Sequence, residues 1–323
     1  NAVRFAKQAQ FHPAPISRCT VKIWKFTSTP WPRQSARERC SLPVVSIHAK
    51  AVVLATHFPI VNVPGFFFFR MHQERSYVLA LENAAPVGGM YIGEEKNSLS
   101  FRDAEGLLLF GGAGTRTGKN REGGNFEQLM QSAKVFYPAC KAVYRWAAQD
   151  CMPHDQIPYI GLLSEKWPGV YVATGFQKWG MTSSMAAAEI LTDFICGREN
   201  GDAPVFSPQR FHPFVSTPKL LIDGAQTVYS IAKEKLEIPR ETLFAIPNGT
   251  AAVVKVEGEK VGVYKTPDGG AYCVTVRCPH LGCRLEWNPA ELSWDCPCHG
   301  SRFDYTGKLL NDPAQTGIEK AER

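Results

Sequence analysis

Six cysteine and histidine side chains crowded into 22 residues constrain this chain more than anything else in it. Cys278-Pro279-His280-Leu281-Gly282-Cys283 is followed, after 12 residues, by Cys296-Pro297-Cys298-His299-Gly300-Ser301. Such clustering of Cys with His reads as a metal site. Two Cys and two His in matched loops can hold one 2Fe-2S centre. When imidazoles replace two thiolates on one iron, the anionic charge falls and the reduction potential rises. Tetrahedral zinc would also accept four of these six side chains. Against zinc stands the pairing of Cys-x-His with Cys-x-x-His, with a spare Cys in each loop.

The block resembles the Rieske proteins of the cytochrome bc and b6f complexes, in their Cys-x-His-Leu-Gly-Cys and Cys-Pro-Cys-His-Gly-Ser form. Carried over by position, the resemblance implies that Cys278 and Cys296 ligate the inner iron and His280 and His299 the outer one. It implies a disulfide between Cys283 and Cys298, which joins the two loops. In that family a Ser and a Tyr after the second motif donate hydrogen bonds to sulfur and raise the potential. Ser301 is present, but Phe303 stands where the Tyr would be. A phenyl ring cannot donate, so the resemblance predicts a potential below that of quinol-oxidising relatives. Leu310 to Ala314 resembles the loop that covers the cluster, with Asp312 in place of a Gly.

The rest of the chain has a different texture. Residues 49–57 form an apolar run of strand length, the pattern of a parallel strand buried on both faces. Short strand candidates follow at 76–81, 89–93, 98–102 and 107–110, separated by glycines and polar turns, which predicts an antiparallel sheet. Residues 126–137 have helical spacing, 170–174 read as a strand, and 183–196 as a helix stopped by Gly197. A Pro-, Gly- and Asn-rich stretch at 198–216 precedes a helix candidate at 220–235, and short alternating strands begin at 236. Residues 16–47 show no sustained period of either kind and read as a loop or a corrupted stretch.

Tyr171 to Phe176, then Gly180-Met181-Thr182, reads as strand, glycine turn and helix N-terminus. The positive end of such a helix can stabilise negative charge on a reduced flavin, and glycines allow close backbone approach. An ordinary strand-to-helix turn would look the same. Ala55-Thr56-His57, Asp155-x-x-Pro158-Tyr159-Ile160-Gly161 and Thr174-Gly175 occur in the order found in FAD-dependent oxidoreductases, and the resemblance is to the D-amino-acid oxidase and glycine oxidase superfamily. More narrowly, Gln8 to Pro13, Gln149-Asp150-Cys151 and Trp179 to Thr182 resemble bacterial fusions of such an oxidoreductase to a Rieske domain. The resemblance implies FAD near Thr56, Gly161, Thr174, Gly175, Gly180, Met181 and Thr182. It also marks Lys178 and Arg116 as catalytic candidates, each of which reads more readily as a surface cation. The Gly-x-Gly-x-x-Gly turn that seats the FAD pyrophosphate is not in these 323 residues, and Gly111-Gly112-Ala113-Gly114 does not replace it. The chain therefore reads as beginning inside a longer protein, and FAD binding by this stretch alone is doubtful.

The expected fold is mixed α+β and α/β. A partial FAD-dependent oxidoreductase, Rossmann-like with an antiparallel substrate sheet, spans 1–235, and an all-β Rieske domain spans 236–323. The 36 Lys and Arg are scattered among 30 Asp and Glu, which leaves no nucleic-acid footprint. Phe58 to Phe69 is the most apolar stretch, yet two prolines and Gly65 interrupt it, far short of the ~20 apolar residues of a membrane span. The dispersed cysteines Cys19, Cys40, Cys140, Cys151, Cys196 and Cys273 read as small buried or idle thiols, and a reducing cytoplasm fits them. The expected function is that of an oxidoreductase whose flavin half oxidises a C–H donor, an amine by resemblance, while the cluster relays single electrons with a partner the sequence does not name. The alternative is an electron carrier whose flavin-like half is only scaffold.

Overall fold

A computed structural model of the chain describes residues 9–12, 19–23, 45–95, 98–210, 225, 228–229, 245–256 and 258–321. The chain divides into two compact units, Asn1–Phe67 with Gln156–His212, and Phe68–Asp155 with Pro213–Arg323. The expected domain boundary at 236 and most of the helix candidate at 220–235 lie outside the described residues.

In the first unit Val52–Leu54 runs parallel to Val170–Thr174, which pairs antiparallel with Tyr159–Leu162. The helix Gly180–Cys196 covers this sheet. Its Ala187, Ile190 and Leu191, at helical spacing, pack with Ile160 and Ala173. The helix begins at Gly180 rather than Ser183 and stops at Gly197, whose φ of 68° is left-handed. The following Arg198 N–H then donates back to Asp193 O at 2.8 Å, a glycine cap of the kind that satisfies the last carbonyls.

The apolar run at 49–57 is not one strand. It is divided at Lys50 between Val45–Ala49, which joins an antiparallel sheet with Ala9–His12 and Cys19–Ile23, and Val52–Leu54. Among the described residues Val52–Leu54 is an edge strand, and only Leu54 in it is buried, so the expected burial on both faces does not hold. The unpatterned stretch 16–47 contains the strand Cys19–Ile23 and the start of Val45–Ala49.

The second unit holds the predicted antiparallel sheet. Its centre is the long strand Met71–Glu82, flanked by Leu107–Arg116 and Lys141–Pro153, with Ser100–Ala104 and Met90–Ile92 beyond. Met71, Gln73, Arg75, Tyr77, Leu79 and Leu81 alternate onto one buried face, as a period of two requires. The Tyr77, Leu79 and Leu81 half packs with Phe126, Leu129 and Ala133 of the helix Asn125–Phe136. Gly111 to Gly114 lies inside the strand Leu107–Arg116 and not in a loop. A Cβ on Gly111 would meet Ser100 Oγ at 2.4 Å, and one on Gly112 would meet Leu99 at 2.8 Å, so packing of neighbours sets these glycines. The strand Lys141–Pro153 was not predicted, because residues 141–146 are all exposed and show no alternation.

The same unit carries residues 245–321, where two small antiparallel sheets form. Ala251–Val256, Glu259–Lys265 and Ala271–Thr275 make one. Glu286–Asn288, Ser293–Asp295, Arg302–Asp304 and Leu309–Asn311 make the other. Trp294, Phe303, Leu285 and Val276 are buried in the core beneath the four clustered cysteines.

Candidate metal centre and flavin-side turn

The two Cys/His loops are built alike. Cys278 N donates to Cys283 O at 2.9 Å and Gly282 N to Cys278 O at 2.9 Å. In the second loop Cys296 N donates to Ser301 O at 2.8 Å and Gly300 N to Cys296 O at 3.0 Å. Each loop thus closes on itself from its first Cys. Each needs a glycine at the same place, because Gly282 (φ 76°) and Gly300 (φ 85°) sit in the left-handed region. The first loop leaves the strand Ala271–Thr275 and enters Glu286–Asn288; the second connects Ser293–Asp295 to Arg302–Asp304.

Cys278, Cys283, Cys296, Cys298 and His299 are all buried, and His280 is half-buried. The sulfurs of Cys283, Cys296 and Cys298 lie within 4.8 Å of one another. Cys278 hydrogen-bonds the Cys296 sulfur, which holds its thiol below the usual range against the effect of burial, and the Ser301 hydroxyl acts on it in the same direction. Cys283 and Cys298 are thiols in this structure, and hydrogen bonding with Cys296 and Cys298, together with burial, pushes the Cys283 thiol up. The imidazoles of His280 and His299 meet edge to face, with ring centroids 5.0 Å apart. Burial pushes the His280 pKa down to about 4, so the ring is neutral near pH 7. Its Nδ1 is buried without a hydrogen-bond partner. A neutral imidazole with an unpartnered buried nitrogen, beside a second imidazole and in the same pair of loops as four buried cysteines, is a donor set a soft metal centre takes. The residues present fit a 2Fe-2S cluster. Phe303 is fully buried, and Ser301 Oγ accepts Ala314 N–H at 3.0 Å, which draws the 310–314 loop onto the second Cys/His loop.

The sequence-predicted flavin residues lie in the first unit, and all but Gly161 lie at or after the carboxyl ends of the parallel strands Val52–Leu54 and Val170–Thr174, where open sheets of this kind take ligands, whereas Gly161 lies inside the antiparallel strand Tyr159–Leu162 opposite Val172. Thr174 Oγ1 donates to His57 O at 2.5 Å and Thr56 Oγ1 to Phe58 O at 2.7 Å, which ties the two turns together. Gly175 (φ 73°) and Gly161 (φ 137°) are left-handed and buried. Gly180, Met181 and Thr182 open the helix and are exposed, Met181 by 87%. Lys178 is exposed. Arg116 lies in the second unit, at the end of its strand, and its guanidinium donates to Cys298 O at 3.5 Å.

The structure also brings to the Cys/His loops residues that sequence reading did not assign there, Phe68, Gln73, Gly118 and Gln149, while the neighbouring Arg75 reaches Glu291. Gln73 and Arg75 carried a usable signal, because they share the alternation phase of Tyr77, Leu79 and Leu81 and so are polar residues on a buried face.

Residues 28–194 match the model of the FAD dependent oxidoreductase family, and residues 241–322 match that of the Rieske [2Fe-2S] domain. The protein YhfW of Bacillus subtilis (strain 168), named as a Rieske 2Fe-2S iron-sulfur protein, is 34% identical over 330 residues, which is 97% of this chain and 64% of that one. The chain thus spans less than two thirds of that relative. The cytochrome b6-f complex iron-sulfur subunit 2 of Trichormus variabilis (strain ATCC 29413 / PCC 7937) is 35% identical over 94 residues, 28% of this chain and 53% of that one. Among solved structures, glycine oxidase from Geobacillus kaustophilus superposes with a TM-score of 0.48 at 17% identity, covering 61% of this chain and 50% of that one. The Rieske domain implies a 2Fe-2S cluster and the FAD-dependent domain implies FAD. No helix among the described residues is long and apolar enough to cross a membrane. The chain belongs to the FAD-dependent oxidoreductase family and carries within it a Rieske [2Fe-2S] domain.

Proposed function

We propose that this chain is part of a cytoplasmic oxidoreductase in which Cys278, His280, Cys296 and His299 hold the 2Fe-2S cluster and Cys283 is joined to Cys298 by a disulfide. The flavin, when bound, supplies hydride chemistry toward a C–H donor, for which the superfamily resemblance favours an amine, and the cluster supplies one-electron transfer. The observation that carries this reading is the pair of like-built loops, which converge two imidazoles and four buried cysteines in a chain that also has the FAD-dependent domain.

The chain's own residues have separable roles. The two self-closing loops would hold the four ligands. Ser301 donates toward the Cys278 sulfur and favours the reduced, more negative cluster, whereas Phe303 offers no such donor. The reading therefore includes a potential below that of quinol-oxidising relatives. On the flavin side, Thr56, Gly161, Thr174, Gly175 and the helix start at Gly180, Met181 and Thr182 would lie along the isoalloxazine. Lys178, exposed just before that helix start, is a candidate for handling the substrate, whereas Arg116 lies against Cys298 O in the second unit.

Electron paramagnetic resonance of the dithionite-reduced chain, with FAD quantified on the same sample, tests this. A rhombic signal of low average g with iron, sulfide and FAD supports the oxidoreductase. The same signal without flavin in the longest natural form of the protein would favour a plain electron carrier. A silent spectrum from metal-replete protein would point to zinc.

A further inference from the structure

Buried amides and guanidinium groups are rarely left without partners, so the polar half of the Met71–Glu82 strand face has to be covered by acceptors. The Cys/His loop at 296–301 covers Gln73, and Glu291 covers Arg75. Gln73 Nε2 donates to His299 O at 2.7 Å and to Asp312 O at 3.0 Å. Gln149 Nε2 donates to Gly300 O at 2.9 Å and to Gln73 Oε1, while Thr117 Oγ1 donates to Gln149 Oε1 at 3.2 Å. Arg75 forks onto Glu291, which also pairs with Arg302 at 3.0 Å, and Arg302 Nε meets Asp295 at 2.9 Å. Two buried cations and two carboxylates thus balance. Backbones also touch: a Cβ on Gly118 would lie 2.4 Å from Pro297 N, and one on Gly300 would lie 2.7 Å from the Gln73 Cβ.

Above this polar latch, Phe68 sets its ring against both imidazoles, 5.0 Å from His280 at 85° and 5.5 Å from His299 at 84°. Phe69 adds a second edge contact to His299 at 6.2 Å. Aromatic pairs prefer this T-shaped arrangement. His299 is left only 4% exposed.

We propose that Phe68, backed by the Gln73–Gln149 latch, is a shield over the histidine edge of the cluster, so that this edge does not dock a diffusible quinone. The proposal rests on the cluster assignment above and names a positioning residue rather than a ligand. In the test, the reduced full chain is mixed with tetramethylbenzoquinone and the loss of the rhombic signal is followed by freeze-quench. Each quinone takes one electron from each of two clusters and two protons from solvent. Wild type is expected to react slowly, Phe68→Ala several-fold faster, and Phe68→Leu, which keeps an apolar cover, near the wild-type rate. Gln149→Ala, which loosens the latch without touching a ligand, is expected to accelerate oxidation as well, and it serves if Phe68→Ala fails to fold. Spins per chain, unchanged across the variants, separate unshielding from cluster loss. Equal rates for wild type and both opened variants, with full cluster content, overturn the shield. A wild-type chain without the rhombic signal overturns the cluster assignment instead.

Discussion

The Cys/His loops and the flavin-side turn are both short segments at strand ends, yet they are held in different ways. The loop at 296–301 is buried, closed by its own backbone, and gripped by Gln73, Gln149 and Arg116 from the neighbouring sheet. The turn from Thr174 to Thr182 is tied by two side chains, Thr174 to His57 O and Gln177 to Gln156 O, and then opens into an exposed helix start. A metal centre must fix four ligand atoms before it binds, so its rigidity is local and over-determined. A large planar cofactor is held by many weak contacts spread along the chain, and the segment that faces it has less reason to be stiff on its own.

The largest break in that comparison comes from removing a ligand. Cys296→Ser is expected to abolish the rhombic signal entirely and to lower stability, while Thr174→Val is expected to leave the signal at full intensity. A variant of the flavin-side turn that lost the cluster would show the two regions to be one cooperative site.

Next in size, Glu291→Ala leaves Arg75 and Arg302 as buried cations without their shared carboxylate, which is expected to cost about 3–5 kcal/mol by urea unfolding. Glu291→Gln keeps the acceptor oxygen but not the charge, and should cost less. If both are near neutral, the shared carboxylate of Glu291 does not stabilise the second unit. Gly118→Ala drives a methyl into the Pro297 backbone at a left-handed position, with an expected cost of about 1–3 kcal/mol in the same measurement.

Thr174→Val removes a single hydrogen bond and is expected to cost about 1 kcal/mol, seen as a small fall in the unfolding midpoint. Phe303→Tyr sharpens the comparison without testing stability: a hydroxyl near the cluster is expected to raise the reduction potential, read by redox titration of the signal. A fall or no change would mean that the buried Phe303 position does not address a sulfur.

Local spacing was enough to read a Rieske domain and to propose its ligand set, because both loops are defined within six residues and close on themselves. It was also enough for the helix stop at Gly197 and the strand Val170–Thr174, where a glycine cap and an apolar run act on their own neighbours. It failed for the run 49–57, which tertiary pairing divides between two sheets, and for the exposed strand Lys141–Pro153, whose outer half has no face to bury. What only the tertiary structure decided is which surface covers the cluster. Arg75 finds Glu291 across 216 residues and Gln73 finds His299 across 226. The sequence by itself placed a redox centre in these loops, since ligand spacing is a short-range property. The shield and the latch came from the fold, because a buried polar group on a strand states only that it needs a partner, and the packing of distant elements chooses which one.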